Sequence, residues 1–166
     1  MPKLIKDGVI VDNDWALVTL PEDGSAAVLP QGKIIVPYRL WEENKEVYLN
    51  QSHVGVWLNS DEGAELIGEY VDQIPLIALF FPGFMDGRAF STARLLRERY
   101  GFKGELRAVG NFIRDQLCYM RRVGVNSFAF ANTNIQLDEA LESLNELTEY
   151  YQAAVDQPLP LFRRRD

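Results

Sequence analysis

Four side chains in the middle of the chain have types and spacing suited to handling an anion. Asp86 and Arg88 flank a glycine in Phe84-Met85-Asp86-Gly87-Arg88, and Glu105 and Arg107 stand two apart in Glu105-Leu106-Arg107-Ala108-Val109. A guanidinium offers a planar fork of N–H donors to a carboxylate or oxyanion, and a carboxylate can orient it or carry a proton. Residues two apart on a strand share one face. A lone buried charge is costly, so Glu105 and Arg107 must pair, reach solvent or line a polar cavity. Asn111 and Arg114 extend the set, Asn111 as a cap for the following helix and Arg114 on one side of it with Cys118 and Arg121. Arg88 is the only base in the loops at the expected strand ends, so it either holds an anion or pairs with Asp86. The candidate ligand- or anion-binding residues are therefore Asp86, Arg88, Glu105, Arg107, Asn111 and Arg114, with no residue assigned a catalytic role.

Several mechanisms are poorly supported by the sequence. A thiol flanked by Arg114 and Arg121 can have a lowered pKa. Yet Cys118 is the only cysteine, so no resolving partner, Cys-x-x-Cys pair or iron–sulfur spacing exists, and a free cysteine more often packs as a small hydrophobe. His53 is the only histidine, which leaves no His-rich metal site. It precedes the strand at Val54, at the end opposite the expected ligand rim. No Gly-x-Gly-x-x-Gly, phosphate loop or Gly-x-Ser-x-Gly elbow occurs. No cofactor and no metal are expected.

The elements that must position these residues follow from periodicity. The first fifty residues read as short strands and turns: Lys3 to Ile5 and Val9 to Val11 around Asp7-Gly8, then Trp15 to Leu20 and Lys33 to Val36. The segment Trp41 to Asn50 is ambiguous. From Val54 the pattern alternates: strand Val54 to Leu58 and helix Ser60 to Asp72; strand Leu76 to Phe81 and helix Asp86 to Tyr100, stopped by Gly101. Then come strand Glu105 to Val109 and a helix ending before Gly124, and strand Ser127 to Ala131 with a helix from Leu137 to Val155. Four successive strand–helix units predict an α/β fold. Its parallel sheet is half-barrel-like or open and doubly wound, covered on both faces over most of its extent, with an N-terminal β appendage. The expected organisation is 1–50 appendage, 51–157 α/β unit and 158–166 an extended Pro/Arg strap, all in one structural domain. Ligands of such sheets sit at the carboxyl ends of the strands.

Length and charge set the outer bounds. At 166 residues, with 47% apolar and 25% charged side chains, the chain can bury one core. A net charge of −7 is the wrong sign for a general nucleic-acid binder. The charge is uneven: from Pro82 to Arg122 nine bases meet four acids, a local +5 that leaves −12 for the rest. Such a stretch pairs with the acidic ends of the chain, or gathers at one rim as an oxyanion site or a docking face for an acidic partner. No secretory start or membrane-length apolar run is present, so a cytoplasmic protein without membrane contact is expected.

The stretch from Asp86 to Gly101, then Gly104 to Gly110, Arg114 to Leu117, Met120 to Arg122 and Pro158 to Arg165, resembles the bacterial Domain of Unknown Function 934 family. Members of that family are commonly encoded beside genes for assimilatory sulfite reductase, and some carry the label oxidoreductase. The resemblance therefore implies a role in sulfur assimilation without implying a reaction. Against the family pattern, Asn111 stands where an acidic residue is usual and Ala89 where glycine is usual. Cys118 stands for an aromatic and Val123 for a frequent cysteine, which argues further against thiol chemistry. The expectation is an accessory protein of sulfate or sulfite reduction that binds the reductase or a small anion. The alternatives are a small-molecule enzyme using Asp86, Arg88, Glu105 and Arg107, and a structural homo-oligomer such as a homodimer paired through exposed strand edges.

Overall fold

The computed structural model describes residues 3–23, 28–81, 88–112, 116–131 and 136–145. Asp7 and Gly8 both adopt positive φ (51° and 81°), the geometry of a two-residue hairpin turn, and join β1 (Lys3–Lys6) to β2 (Val9–Asp12). After β3 (Trp15–Leu17) and β4 (Lys33–Pro37) come helices α1 (Tyr38–Glu43) and α2 (Lys45–Tyr48), which replace the ambiguous segment and lead to β5 (Val54–Leu58). Next come β6 (Leu76–Phe81), α3 (Arg88–Glu98), β7 (Glu105–Gly110), α4 (Leu117–Arg122), β8 (Ser127–Phe130) and α5 (Leu137–Asn145). The predicted helix over 60–72 is instead two short 3-10 pieces, Ala64–Leu66 and Gly68–Gln73. Gly63 and Gly68 weaken an α-helix there, and a side chain at Gly68 would collide with the Tyr100 ring. Among the described residues no helix is long and apolar enough to cross a membrane.

The eight strands form one sheet in the order β2-β1-β8-β7-β6-β5-β4-β3. From β3 to β8 the strands are parallel and strictly sequential, which excludes the order reversal of a doubly wound sheet. β1 and β2 add an antiparallel hairpin along β8. The sheet is therefore mixed, not purely parallel, and the first fifty residues are no appendage: they supply β1 to β4, at both edges.

Sequential right-handed crossovers all fall on one side of a sheet. Accordingly the larger core lies between the helices and one strand face, built from Ile34, Val56, Ile77, Leu79, Leu106 and Phe128 with Trp41, Leu96, Met120 and Leu144. The opposite face carries Ile35, Leu76, Ala78 and Val109, with Trp15, Trp57, Phe80 and Ala129 packed against them, and none of these hydrophobic residues comes from a described helix. Coverage of both faces by helices, expected from the apolar strands, is thus corrected. These residues are buried because the sheet curls over them.

The curl is dictated by a short link. β2 and β3 stand at opposite edges, yet only Asn13 and Asp14 connect them. Seven inter-strand gaps of a flat sheet would separate those edges by about 34 Å, whereas the three peptide links from Asp12 to Trp15 span at most about 11 Å. The sheet is accordingly a curled half-barrel with its edges drawn together at that link.

Arg97, in the last turn of α3, clamps the amino-terminal ends of β7 and β8. Its guanidinium donates to the carbonyls of Phe102 (2.8 Å), Gly104 (2.9 Å) and Gly124 (2.9 Å) and to Asn126 Oδ1 (3.3 Å), and lies over the Phe102 ring. Asn126 in turn accepts from Leu106 N–H (2.8 Å) and donates to Asp7 of the hairpin (3.1 Å). Burial lowers the guanidinium's pKa. Arg97→Met leaves these acceptors dry, so urea unfolding should report a loss of about 3 kcal/mol. Arg97→Lys, which keeps the charge but not the fork, should recover less than half of that loss.

Candidate functional site

The concave face of the roll is layered along the strands. Nearest the amino-terminal ends, Glu105 Oε1 meets Lys6 Nζ of β1 at 3.1 Å. One layer up, Arg107 directs its Nε (2.8 Å) and Nη2 (2.6 Å) to Glu105 Oε2 and its Nη1 (3.0 Å) to Asn13 Oδ1. Ser127, in register with both Arg107 and Lys6, is fully buried, and its hydroxyl makes no hydrogen bond among the described residues. The side chains of Arg107 and Glu105 are 3% and 9% exposed, so this is an interior ion pair; the alternation of β7 places both charges inside the curl. Lys6, Glu105 and Arg107 together carry one net positive charge.

Above Arg107, toward the carboxyl ends of the strands, lies a pocket of about 270 Å³. Trp15, Leu17, Ile35, Phe80, Val109 and Ala129 form most of its wall, with Arg107 and Asn13 as the charged and amide side chains. Trp57 flanks Phe80, ring centroids 6.1 Å apart, and is held by its indole N–H on the Val18 carbonyl at 2.7 Å. At the rim, Gly110 has a φ of +109°, and a Cβ there would sit 2.6 Å from the Phe81 carbonyl oxygen. This glycine lets the chain turn out of β7 beside the pocket, where Asn111 N–H bonds that same carbonyl at 2.8 Å. Beside the seam Lys33 bonds Asp14 at 2.8 Å. That hydrogen bond holds the Asp14 carboxyl below the usual range, with a smaller pull from Arg107.

Of the residues expected from sequence, the structure brings Glu105 and Arg107 together and places exposed Asn111 next to the rim. Arg88 is elsewhere: it opens α3 in the helical layer and donates to Ser60 Oγ at 3.1 Å. Asp86 and Arg114 lie outside the described residues, as does the strap at 158–166. The arginine-rich middle is not gathered at one rim, since Arg88 belongs to the outer layer, Arg97 to the amino-terminal clamp and Arg107 to the interior. Cys118 packs between α4 and α5, its thiol against the carbonyls of Ser143 (3.1 Å) and Leu144 (3.6 Å). His53 lines a different depression at the amino-terminal end of the sheet, with Leu29, Tyr48 and Val54. The sequence reading missed Asn13, Trp15 and Lys6. For Asn13 and Trp15 the signal was the two-residue spacing between the second and third strands; Lys6, in the first strand and 42% exposed, had none.

Comparison with family models matches residues 55–162 to DUF934, a bacterial protein family of unknown function, and the chain belongs to that family. No curated protein matches the chain. The matched segment supplies Phe80, Arg107, Val109 and Ala129 to the pocket, while Asn13, Trp15, Leu17 and Ile35 precede it.

The ion pair generates a stability prediction. Glu105 also meets Lys6, so the change that strands a charge is the loss of Glu105: Glu105→Gln leaves Arg107, 3% exposed, without its carboxylate and should cost about 3 kcal/mol in urea unfolding. Glu105→Gln combined with Arg107→Gln should cost less than the single change, because the one charge then unpaired, Lys6, is 42% exposed and can turn to solvent.

Proposed function

We propose that this DUF934 member is an accessory protein of assimilatory sulfate or sulfite reduction that works by binding a small anion, without redox chemistry of its own. The observation that carries the binding half is Arg107, an interior guanidinium at the floor of a pocket on the carboxyl side of the strands. Glu105 accepts from two of its nitrogens and Asn13 from the third. A guanidinium has five N–H groups. Three of them are used in these contacts, and the remaining donors favour an acceptor-rich guest. The surplus positive charge of the Lys6–Glu105–Arg107 set favours a negative one.

The reading rests on Arg107 and its partners alone, because Arg88 belongs to the other face of the sheet. The pathway half is supported by the family resemblance, whose members sit beside assimilatory sulfite reductase genes, and the reductase is the protein partner that this implies. The oxidoreductase label has no support in a sequence with one thiol and no nucleotide-binding motif.

A strain lacking the gene should grow normally on cysteine and poorly on sulfate, and a copy carrying Ala129→Phe, which fills the pocket and leaves Arg107 in place, should not restore growth. Unimpaired growth on sulfate without the gene would remove the pathway assignment.

A further inference from the structure

We infer that the guest of the interior pocket is an organic anion with a ring-bearing, apolar body, one acidic group facing Arg107 and the body lying against Trp15, Phe80 and Ile35. This rests on the reading of the pocket as an anion site and names the chemical class that the site takes.

Size, wall chemistry and depth point the same way. A pocket of about 270 Å³ is near the lower end of small-molecule sites. An inorganic oxyanion, only a few water molecules in size, would occupy the floor and leave the rest to solvent. The walls above the floor are Trp15, Leu17, Ile35, Phe80, Val109 and Ala129, surfaces that gain nothing from a hydrated ion and much from an apolar group. Aromatic rings at such a wall favour another ring in offset or edge-on contact. The polar side chains are confined to one end: Arg107 and Asn13 are hydrogen-bonded to each other across the curl, and the amide oxygen of Asn13 is already shared by Arg107 and the Trp15 backbone N–H. A guest with a second polar group midway along its body would therefore set that group against hydrocarbon. A single acidic head and an apolar ring satisfy both halves of the site.

The site is also built to stay in place. Arg107 is oriented by two contacts to Glu105, and Glu105 by Lys6. Phe80 is backed by Trp57, whose indole is anchored on Val18. The guest meets a preformed wall, which limits the ordering cost of binding.

Calorimetric titration of the full chain with three probes separates the contributions: 1-naphthalenesulfonate carries ring and acid, sodium sulfate only the acid, and 1-naphthalenemethanol only the ring. The sulfonate should bind one site at least tenfold more tightly than either of the others, and quench tryptophan fluorescence in a manner reduced by Trp15→Phe. Ala129→Phe should abolish binding. The combined Glu105→Gln and Arg107→Gln chain, checked for folding by circular dichroism, should hold the sulfonate no better than the alcohol. Sulfate binding as tightly as the sulfonate, and lost in Ala129→Phe, would overturn the ring-bearing guest while leaving the anion reading intact. Alcohol binding as tightly as the sulfonate would overturn both, as would no binding at all or binding that Ala129→Phe leaves unchanged.

Discussion

The two-residue link from Asp12 to Trp15 constrains everything on the concave side. Two strands at opposite edges of an eight-stranded order cannot be joined by Asn13 and Asp14 unless the sheet bends back on itself. Bending turns one face into an interior, so Ile35, Leu76, Ala78 and Val109 are buried without a described helix above them. It also carries Asn13 across to Arg107 on β7, three strands from β2 and four from β3 along the sheet, where the two side chains bond at 3.0 Å. In a flat sheet that contact would have to cross well over ten ångströms, since each strand step is about 4.8 Å. The hydrogen bond and the short link are thus two expressions of one geometry.

The side chains of that interior are sorted along the strands. Toward the amino-terminal ends the Lys6–Glu105–Arg107 set satisfies its own charges, with a carboxylate between two cations. A hydrophobic replacement of similar volume would serve stability about as well or better. On the proposed reading of the pocket, the guanidinium stands there for what it presents to the space above. On the convex side, by contrast, the charged groups serve architecture. Arg97 has no described carboxylate within salt-bridge reach and spends its donors on carbonyls at the start of β7 and β8, while Arg94 pairs with Glu98 along its own helix.

Local signals in the sequence were read well and global ones were not. The strands at Val54–Leu58 and Leu76–Phe81 agree with expectation to the residue, because dense apolar runs bounded by turn residues leave little freedom. The Asp7-Gly8 turn is equally legible, since few residue pairs accept two positive φ values. The pairing of Glu105 with Arg107 was among the outcomes that strand periodicity allowed. What periodicity does not carry is curvature. The apolar inner faces of β5 and β6 read as surfaces awaiting helices, when no described helix lies over them and the sheet curls across them. The same omission hid Trp15 and Asn13, whose strand of three residues looked peripheral until the link behind it was weighed against the width of the sheet. The 3-10 pieces before β6 were missed for a smaller reason, two glycines inside an otherwise amphipathic pattern.

Segmental charge proved a poor guide to where a charge acts, and the reason is general. The +5 stretch between Pro82 and Arg122 is contiguous in sequence, but strand, helix and loop alternate within it, so successive arginines are dealt to different layers. Arg88 ends in the outer layer against Ser60, Arg97 beneath the amino-terminal ends of β7 and β8, and Arg107 inside the curl. At physiological ionic strength the Debye length is about 8 Å, so exposed charges in separate layers add little to one another's field. What a charge can act on is therefore set by the cavity it shares: beside Arg107, 3% exposed, stand the carboxylate that orients it and, 42% exposed, the lysine beyond. Above them the wall is apolar.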